Sequence, residues 1–245
     1  MELQRFVVGR GVTNCYLVSC PETREAILVD PHFRGREGEK ILEIIEHNEL
    51  KVKYLINTHG HYDHTSGNQL ILEVTDAKLL FHEGDYSMIS EPWTRYKSPN
   101  GEGYRCPKCN NYSATLTLDE AMGQASLECS NCNYSREFKF NRPERLLAEG
   151  DRINFGRQEL TVLHTPGHSR GCICLYSEEH KTLLSGDTLF RRSIGRTDLP
   201  GASHTEMLES LRRLKALPHD TLVYPGHGDP TSIKDEQGNI DYWLT

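Results

Sequence analysis

Three histidines and an aspartate within one short segment place the strongest constraint on what this chain can fold into. They form the run His59-Gly-His61-Tyr-Asp63-His64, which directly follows a short apolar stretch predicted as a strand at Lys53–Asn57. Residues two apart in an extended segment point to the same side, so His59 and His61 face one cation. The turn into the following predicted helix redirects Asp63 and His64 toward a neighbouring cation. The segment therefore predicts two metal ions at the end of a buried strand.

Further ligands follow three later predicted strands. His168 ends the run Thr-Pro-Gly-His, Asp187 lies in Ser-Gly-Asp-Thr, and His227 lies in Tyr-Pro-Gly-His-Gly. Side chains with a function gather in loops at strand ends. With the first segment, these residues supply seven nitrogen or oxygen ligands, a number that suits two cations.

The pattern of apolar residues predicts a mixed α/β fold. Strands are expected at Leu3–Val8, Val12–Ser19, Ala26–Val29, Lys53–Asn57, Lys78–His82, Arg152–Phe155, Glu159–His164, Cys172–Tyr176, Thr182–Ser185 and Thr221–Tyr224. Helices are expected at Lys40–Leu50 and at about 67–75 and 203–216. The first three strands are expected to form an antiparallel meander. Two mixed sheets packed face to face, with helices outside, fit this order of elements.

The seven ligands together resemble the metallo-β-lactamase superfamily, whose fold is a four-layer αββα sandwich. The resemblance covers residues 1–90 and 146–245 and leaves 91–145 as an insertion. It implies two metal sites and one bridging carboxylate. One metal ion would be held by His59, His61 and His168, and the other by Asp63, His64 and His227. The bridging carboxylate would be that of Asp187. Asp30, which ends the run Ala-Ile-Leu-Val-Asp, matches a family position that supports the site from behind.

Within that superfamily, the runs Gly-Asp-Thr-Leu-Phe and Ile-Gly-Arg-Thr-Asp-Leu-Pro-Gly are similar to those of glyoxalase II, also called hydroxyacylglutathione hydrolase. This resemblance implies a metal-bridging hydroxide that cleaves a small-molecule thioester of the acylglutathione or acyl-CoA kind. Asp63 would serve as both ligand and proton acceptor. Zinc is the first expectation for the two divalent metals, with iron or manganese as alternatives, because His and carboxylate ligands accept all three.

The cations nearest to the site in sequence are Arg191, Arg192 and Arg196, which we expect to meet a carboxylate or phosphate on the thiol portion of the substrate. A structural alternative is equally consistent for Arg196, which can pair with Asp198 to brace its loop. Plain solvent exposure is the alternative for the other two arginines.

A second enzyme class stays open from these motifs. Persulfide dioxygenases share the Thr-Pro-Gly-His and Gly-Arg-Thr-Asp runs and use one non-haem iron, held at positions that match His59, His168 and Asp187. True β-lactamases are disfavoured because they typically lack the pair Asp63-His64. Nucleases of the superfamily are disfavoured because they lack the later runs.

Four cysteines define the predicted insertion. Cys106-Pro-Lys-Cys109 and Cys129-Ser-Asn-Cys132 are separated by nineteen residues, a spacing typical of a zinc ribbon with one structural zinc ion. Its three strands are expected at 115–118, 126–128 and 134–140. A rubredoxin-like iron site and two disulfides are the alternatives. The remaining cysteines are expected to be buried free thiols.

Four roles of the ribbon stay open, namely a lid, an oligomer contact, a nucleic-acid contact and a plain scaffold. Zinc ribbons often bind nucleic acid, but residues 91–145 carry eight Lys and Arg against seven Asp and Glu and the chain has a net charge of −7, so charge gives little support to that role. The start of the chain has no signal-peptide pattern, and no apolar run approaches the length of a membrane span. We therefore expect a cytoplasmic protein without a membrane partner, and leave a homo-oligomer open.

Overall fold

The computed structural model describes residues 1–9, 12–33, 37–90, 103–119, 124–139 and 142–245. These residues divide into two units, one formed by Met1–Asp85 with Pro143–Thr245 and the other by Tyr86–Arg142. Parts of the predicted insertion, including the predicted strand end at Phe140, lie outside the described residues.

The strands and helices follow one another along both units. In chain order the strands are β1 (Glu2–Val8), β2 (Thr13–Ser19), β3 (Glu25–Val29), β4 (Lys51–Ile56), β5 (Lys78–His82), β6 (Ala114–Asp119), β7 (Gln124–Cys129), β8 (Ser135–Lys139), β9 (Arg145–Leu147), β10 (Arg152–Phe155), β11 (Gln158–His164), β12 (Ile173–Ser177), β13 (Thr182–Gly186), β14 (Leu189–Phe190), β15 (Ser193–Ile194), β16 (Leu222–Pro225) and β17 (Thr231–Ser232). The helices are α1 (Glu37–His47), α2 (Tyr62–Thr65), α3 (Asn68–Val74), α4 (Tyr86–Ser90), α5 (His204–Lys215) and α6 (Ile233–Leu244), with a 3-10 turn at Glu83–Asp85.

Two six-stranded mixed sheets form the larger unit. The first has the order β1-β2-β3-β4-β5-β9 and the second the order β10-β11-β12-β13-β16-β17. Strands β1, β2 and β3 pair antiparallel, which confirms the predicted meander, and β3, β4, β5 and β9 pair parallel. The loops that carry the candidate ligands leave these sheets at the carboxyl ends of β4, β11, β13 and β16.

The central core lies between the two sheets. Tyr16 and Val18 point inward from β2 and belong to one buried cluster with Phe155, Leu160 and Leu184 of the second sheet. Because neighbouring side chains of a strand point to opposite faces, Cys15 and the other alternating residues of β2 face away from this layer. Burial of each large side chain of the cluster contributes about 1.5–3 kcal/mol.

Helices cover the outer face of each sheet. Ile41 of α1 and Ile71 of α3 pack with residues of β2, β3 and β4 in a cluster outside the first sheet. Met207 of α5 and Ile240 of α6 pack with Val223 in a cluster outside the second sheet. The order helix, sheet, sheet, helix is the four-layer αββα sandwich, so this prediction is confirmed.

Several elements differ from those expected from the pattern alone. Helix α1 begins at Glu37, before the predicted start, and β12 begins at Ile173, so the expected strand start at Cys172 is wrong. Strand β9 and helix α6 were not predicted. Helix α6 carries few apolar residues, but the side chain of Ser232 accepts a hydrogen bond from the Asp235 N–H at 3.1 Å. An N-terminal cap of this kind starts a helix whose apolar pattern is weak.

The smaller unit contains a three-stranded antiparallel sheet in the order β6-β7-β8. Its buried residues are few and form a cluster around Leu127, Ala114 and the cysteine side chains. A core of this size contributes little, so a metal ion bound by the cysteines would supply much of the folding free energy.

Within the part of the chain that the structure describes, no helix is long and apolar enough to cross a bilayer.

Candidate metal centre

Short loops and helix α2 place the first four candidate ligands at the end of β4. His59 and His61 lie between the strand and the helix, while Asp63 and His64 lie within α2. Two buried asparagines hold this helix against the strand end. Asn57 Nδ2 donates to the carbonyl oxygen of His64 at 2.9 Å, and Asn68 Nδ2 donates to Asn57 Oδ1 at 2.7 Å.

His59, His61 and His168 come together in a group that we call the first metal site. One nitrogen from each ring lies within 4.8 Å of the other two. His61 Nδ1 and His168 Nε2 are 2.8 Å apart. The loop after β11, which carries His168, thus meets the loop after β4.

Asp63, His64 and His227 form a neighbouring group, the second metal site. The Nε2 atoms of His64 and His227 are 3.3 Å apart. Asp63 Oδ2 lies 3.4 Å from His227 Nε2 and 3.8 Å from His64 Nε2. One carboxylate oxygen and two imidazole nitrogens therefore face a common point.

The Asp187 carboxylate lies between the two sites. Its Oδ2 is 3.4 Å from His168 Nε2 and 3.3 Å from His227 Nε2, while its Oδ1 is 3.4 Å from His64 Nε2. Gly226 leaves the room for it, because a Cβ atom at this position would come within 2.2 Å of Asp187 Oδ1. The Asp187 carboxylate therefore lies within 3.4 Å of ring nitrogens from both groups.

Two buried polar atoms indicate that the donor set fits metal ions. Among the described residues, His59 Nε2 and Asp187 Oδ1 are buried and have no hydrogen-bond partner. Leaving such an atom unsatisfied costs about 1–3 kcal/mol. Burial and the neighbouring His64 and His61 lower the pKa of His59, which keeps its ring neutral. A neutral imidazole with a free nitrogen is the form that binds a metal ion.

The second metal site carries more negative charge than the first. Burial opposes protonation of His227, but hydrogen bonds to Asp187 and Asp63 raise its pKa to about 11. Burial likewise opposes protonation of His64, but Asp187 and Asp30 raise its pKa above the usual range. Without a metal ion, these histidines hold protons that a divalent cation would displace.

Asp30 contacts the ring nitrogen of His64 that faces away from the second metal site. It is buried and has a left-handed backbone with φ of 53°. Its Oδ2 accepts hydrogen bonds from His64 Nδ1 at 2.9 Å and from Thr58 Oγ1 at 2.6 Å, and its Oδ1 accepts one from the Thr58 N–H at 2.7 Å. Thr58 Oγ1 in turn lies 3.2 Å from His59 Nδ1.

Backbone carbonyls orient the two histidines that come from the second sheet. His168 Nδ1 donates to the carbonyl oxygen of Arg196 at 2.8 Å, and His227 Nδ1 donates to that of Val12 at 2.5 Å. A carbonyl can only accept, so the Nδ1 atoms carry protons and the Nε2 atoms face the metal sites.

Asp85 and Asn14, which hold the ligand loops, are not among the residues predicted from the sequence. Asp85 accepts hydrogen bonds from the loops of His61 and His168. Asn14 Nδ2 donates to the carbonyl oxygens of Pro225 at 2.8 Å and of Gly228 at 2.7 Å, on both sides of His227. Asp85 follows the predicted strand Lys78–His82, and a carboxylate at a strand end is the signal that could have found it.

A cavity of about 460 Å³ opens on the centre. Its lining residues are His61, Tyr62, Asp63, His168, Asp187, Phe190, Arg196, Leu199, Pro200 and His227. Arg196 donates two hydrogen bonds of 2.9 Å to Asp198, which is the bracing pair considered from the sequence. Arg191 and Arg192 are not among the lining residues, and Arg191 lies 3.6 Å from Asp229.

The four ribbon cysteines also come together. Their sulfur atoms lie within 4.8 Å of one another, with Cys106 and Cys132 3.6 Å apart and Cys109 and Cys129 3.7 Å apart. A tetrahedral zinc ion with Zn–S bonds of about 2.3 Å requires sulfur atoms about 3.8 Å apart. A hydrogen bond from Ser113 lowers the pKa of Cys129 to about 6, which favours the thiolate.

All described cysteines are free thiols, so the alternative of two disulfides is wrong. The sulfur separations are far longer than a disulfide bond of about 2.05 Å. Outside the ribbon, the remaining cysteines are Cys15, Cys20, Cys172 and Cys174, and they are buried free thiols as expected.

Comparisons with known proteins show similarity along most of the chain. A family model described as the metallo-beta-lactamase superfamily matches residues 8–227. A protein of Aquifex aeolicus (strain VF5) is 35% identical over 232 residues, which cover 94% of this chain and 91% of that protein. A hydroxyacylglutathione hydrolase of Rhodospirillum rubrum is 30% identical over 230 residues, which cover 94% of this chain and 65% of that protein.

A solved structure shows the same architecture. The crystal structure of TTHA1623 in a di-iron-bound form matches with a TM-score of 0.69 and 31% identity, over 95% of this chain and 96% of that chain.

Proposed function

The chain belongs to the metallo-beta-lactamase superfamily, and from this premise we propose that it is a dinuclear metallohydrolase that cleaves thioesters of the acylglutathione or acyl-CoA kind. The observation that carries the proposal is the meeting of two ligand groups around the buried Asp187, beside an open cavity. The similarity to a hydroxyacylglutathione hydrolase supports the substrate class.

Two divalent cations held by these ligands would supply the nucleophile, since they would lower the pKa of a water molecule from about 15.7 toward about 7 and polarise a carbonyl group. Zinc is our expectation for both, with iron or manganese as alternatives that the same ligands accept.

Asp63 is the residue of the site that we assign to proton transfer. It lines the cavity, and its Oδ2 lies 3.4 Å from His227 Nε2. Burial would raise its pKa, but the hydrogen bond to His227 and the charge of His64 lower it, so the carboxylate is ionised at neutral pH. An ionised carboxylate accepts a proton from water during attack on the carbonyl. The thiolate leaving group requires no strong acid.

The cavity wall suits a substrate with both an apolar and an anionic part. Tyr62, Phe190 and Leu199 offer apolar surface, and Arg196 offers a cation on the same wall. The Asp198 carboxylate already occupies the guanidinium. A carboxylate or phosphate on the thiol portion therefore has to compete with Asp198 for Arg196.

Metal analysis combined with thioester turnover tests this function. The purified protein is expected to contain two metal ions at the centre and one zinc ion in the ribbon, and to release free thiol from acylglutathione or acyl-CoA substrates. His61→Ala removes a ligand of the first metal site and is expected to lower turnover more than about 100-fold, since loss of an outer contact alone costs 10–100-fold. His47→Ala, at an exposed position in the last turn of α1, is the matched control and is expected to keep full turnover.

The opposing result is equally specific. A protein that holds a single iron ion, consumes oxygen with glutathione persulfide and leaves acylglutathione intact would be a persulfide dioxygenase. His59, His168 and Asp187 would then be its ligands, and the proposed hydrolysis would be wrong.

A further inference from the structure

A buried carboxylate joins the two loops that carry the first metal site. Asp85, in the 3-10 turn after β5, is only 2% exposed. Its Oδ2 accepts hydrogen bonds from the Gly60 N–H at 3.0 Å and from Ser169 Oγ at 2.5 Å. Its Oδ1 accepts one from the Gly171 N–H at 2.7 Å. Asp85 itself is not a ligand of either metal site.

The donors belong to residues beside the ligands. Gly60 lies between His59 and His61, and Ser169 follows His168 directly. Asp85 therefore contacts the backbone on both sides of the pair His61 Nδ1 and His168 Nε2, which are 2.8 Å apart. By accepting three hydrogen bonds, the Asp85 carboxylate sets the distance between two loops that are far apart in the sequence.

Two glycines let the turn of Asp85 and the loop after His168 pack closely against each other. A Cβ atom on Gly84 would come within 2.7 Å of the carbonyl oxygen of Arg170, and one on Gly171 within 2.6 Å of the Asp85 nitrogen. Contacts this short do not occur between real side chains and backbone, so both positions require glycine. The turn of Asp85 and the loop after His168 are interlocked.

A stacked pair of histidines adds a second contact between the end of β5 and the loop that follows His168. The rings of His82 and His164 are 4.1 Å apart and inclined by 13°. His164 Nε2 donates to the carbonyl oxygen of Arg170 at 2.9 Å, which fixes the outer end of the loop that follows His168.

We propose that Asp85 is the positioning residue of the first metal site and that the second site does not depend on it. This inference rests on the proposed two-metal function. Other residues hold the ligands of the second site, because Asp30 accepts a hydrogen bond from His64 and Asn14 donates hydrogen bonds to the loop of His227. Metal affinity at the first site alone should therefore depend on the Asp85 carboxylate.

Asp85→Asn tests the carboxylate with little change in volume. The amide group replaces one of the two oxygens with an N–H₂ donor, which then faces either the Gly171 N–H or the Gly60 N–H. Two donors repel, so one of the loops moves away. Because His61 and His168 belong to these loops, their nitrogens separate.

The measurement uses proteins that keep one metal site each. His227→Ala leaves the first site and His168→Ala leaves the second. Cobalt affinity of each metal-free parent is measured by competition with a chelator, while the ribbon is followed separately by its thiolate-to-cobalt absorption. Adding Asp85→Asn is expected to weaken cobalt binding about 10–100-fold in the His227→Ala parent and less than about twofold in the His168→Ala parent.

Two further variants complete the design. Ser169→Ala removes one donor and keeps the carboxylate, so it is expected to give a smaller loss in the His227→Ala parent only. It also carries the test if Asp85→Asn does not fold, as judged by circular dichroism of the metal-free protein. Asp151→Asn is the matched control, because that carboxylate accepts from the Ala148 N–H at 2.9 Å away from the centre. It is expected to change neither affinity.

Equal losses in both parents, no loss in either, or no cobalt binding by the His227→Ala parent would overturn the inference. A separate outcome concerns the proposed function. Site-specific loss of cobalt together with no thioester turnover by the unmodified protein would support the role of Asp85 and refute the hydrolysis.

Discussion

Replacement of Asp30 by asparagine should weaken binding of the second metal ion while the fold remains. The side chains have nearly the same volume, and asparagine accepts a left-handed backbone, here φ of 53°, more readily than most residues. The backbone of Asp30 is therefore not the part that the substitution disturbs. The change is confined to the donors and acceptors that face His64 and Thr58.

The effect on His64 follows from its ring protons. The asparagine amide keeps its oxygen toward the Thr58 N–H and places its N–H₂ group where Asp30 Oδ2 now lies, 2.9 Å from His64 Nδ1. His64 either keeps its Nδ1 proton and faces another donor, or moves the proton to Nε2. In the second case the proton occupies the position of the metal ion.

The expected loss is about 10–100-fold in metal affinity at the second site, which corresponds to about 1.4–2.7 kcal/mol. A hydrogen bond to a charged group contributes about 1.5–3 kcal/mol, so two independent estimates agree. The first site should lose less, because Asp30 reaches His59 only through Thr58 Oγ1, 3.2 Å from the ring nitrogen.

Cobalt titration of Asp30→Asn in the His168→Ala parent measures this loss, and circular dichroism of the metal-free protein checks the fold. Unchanged affinity in a folded protein would refute the argument from the His64 proton.

Three other predictions concern charge, core and ribbon. In the metal-free protein the pKa of His227 is raised above its ordinary value, to about 11. The protonated His227 side chain therefore stabilises the folded state fully below about pH 6.5, and this contribution is lost as the pH rises toward 11. Urea unfolding at stepped pH should show the decline in the metal-free protein and not in His227→Ala, and an equal slope in both would contradict it. Phe155→Ala, in the central core, should lower the free energy of unfolding by about 3–5 kcal/mol, measured by the same method; a loss below 1 kcal/mol would speak against the packing. Cys129→Ser should release the ribbon zinc and expose the other thiols to a thiol reagent, and retained zinc would count against the four-cysteine site.

Much of the candidate site could be predicted because its chemistry is local. His59 and His61 are two apart in an extended loop, so they share a side without reference to the rest of the fold. The runs around His168, Asp187 and His227 each follow an apolar strand, and the structure brings all of them to one place. The ribbon cysteines are paired in the same local way.

Other parts depended on contacts that no local pattern contains. Arg196 lines the cavity and pairs with Asp198, whereas Arg191 is not a lining residue and pairs with Asp229. The two arginines are close in the sequence, so only the path of the loop decides which of them reaches the cavity. Helix α6 has a weak apolar pattern and gains its place by packing Ile233 and Ile240 against the second sheet.

The sequence by itself predicted the candidate metal ligands and the four ribbon cysteines, because the spacing of such residues is a property of short segments, while the αββα layers were implied by the resemblance to a family. Only the tertiary structure decided how the ligands are held. Asp85 meets Ser169, and Asn14 meets Pro225, across separations of 84 and 211 residues. Such pairs form when folded sheets bring distant loops together, and a buried acceptor then selects its donors by distance rather than by position in the chain.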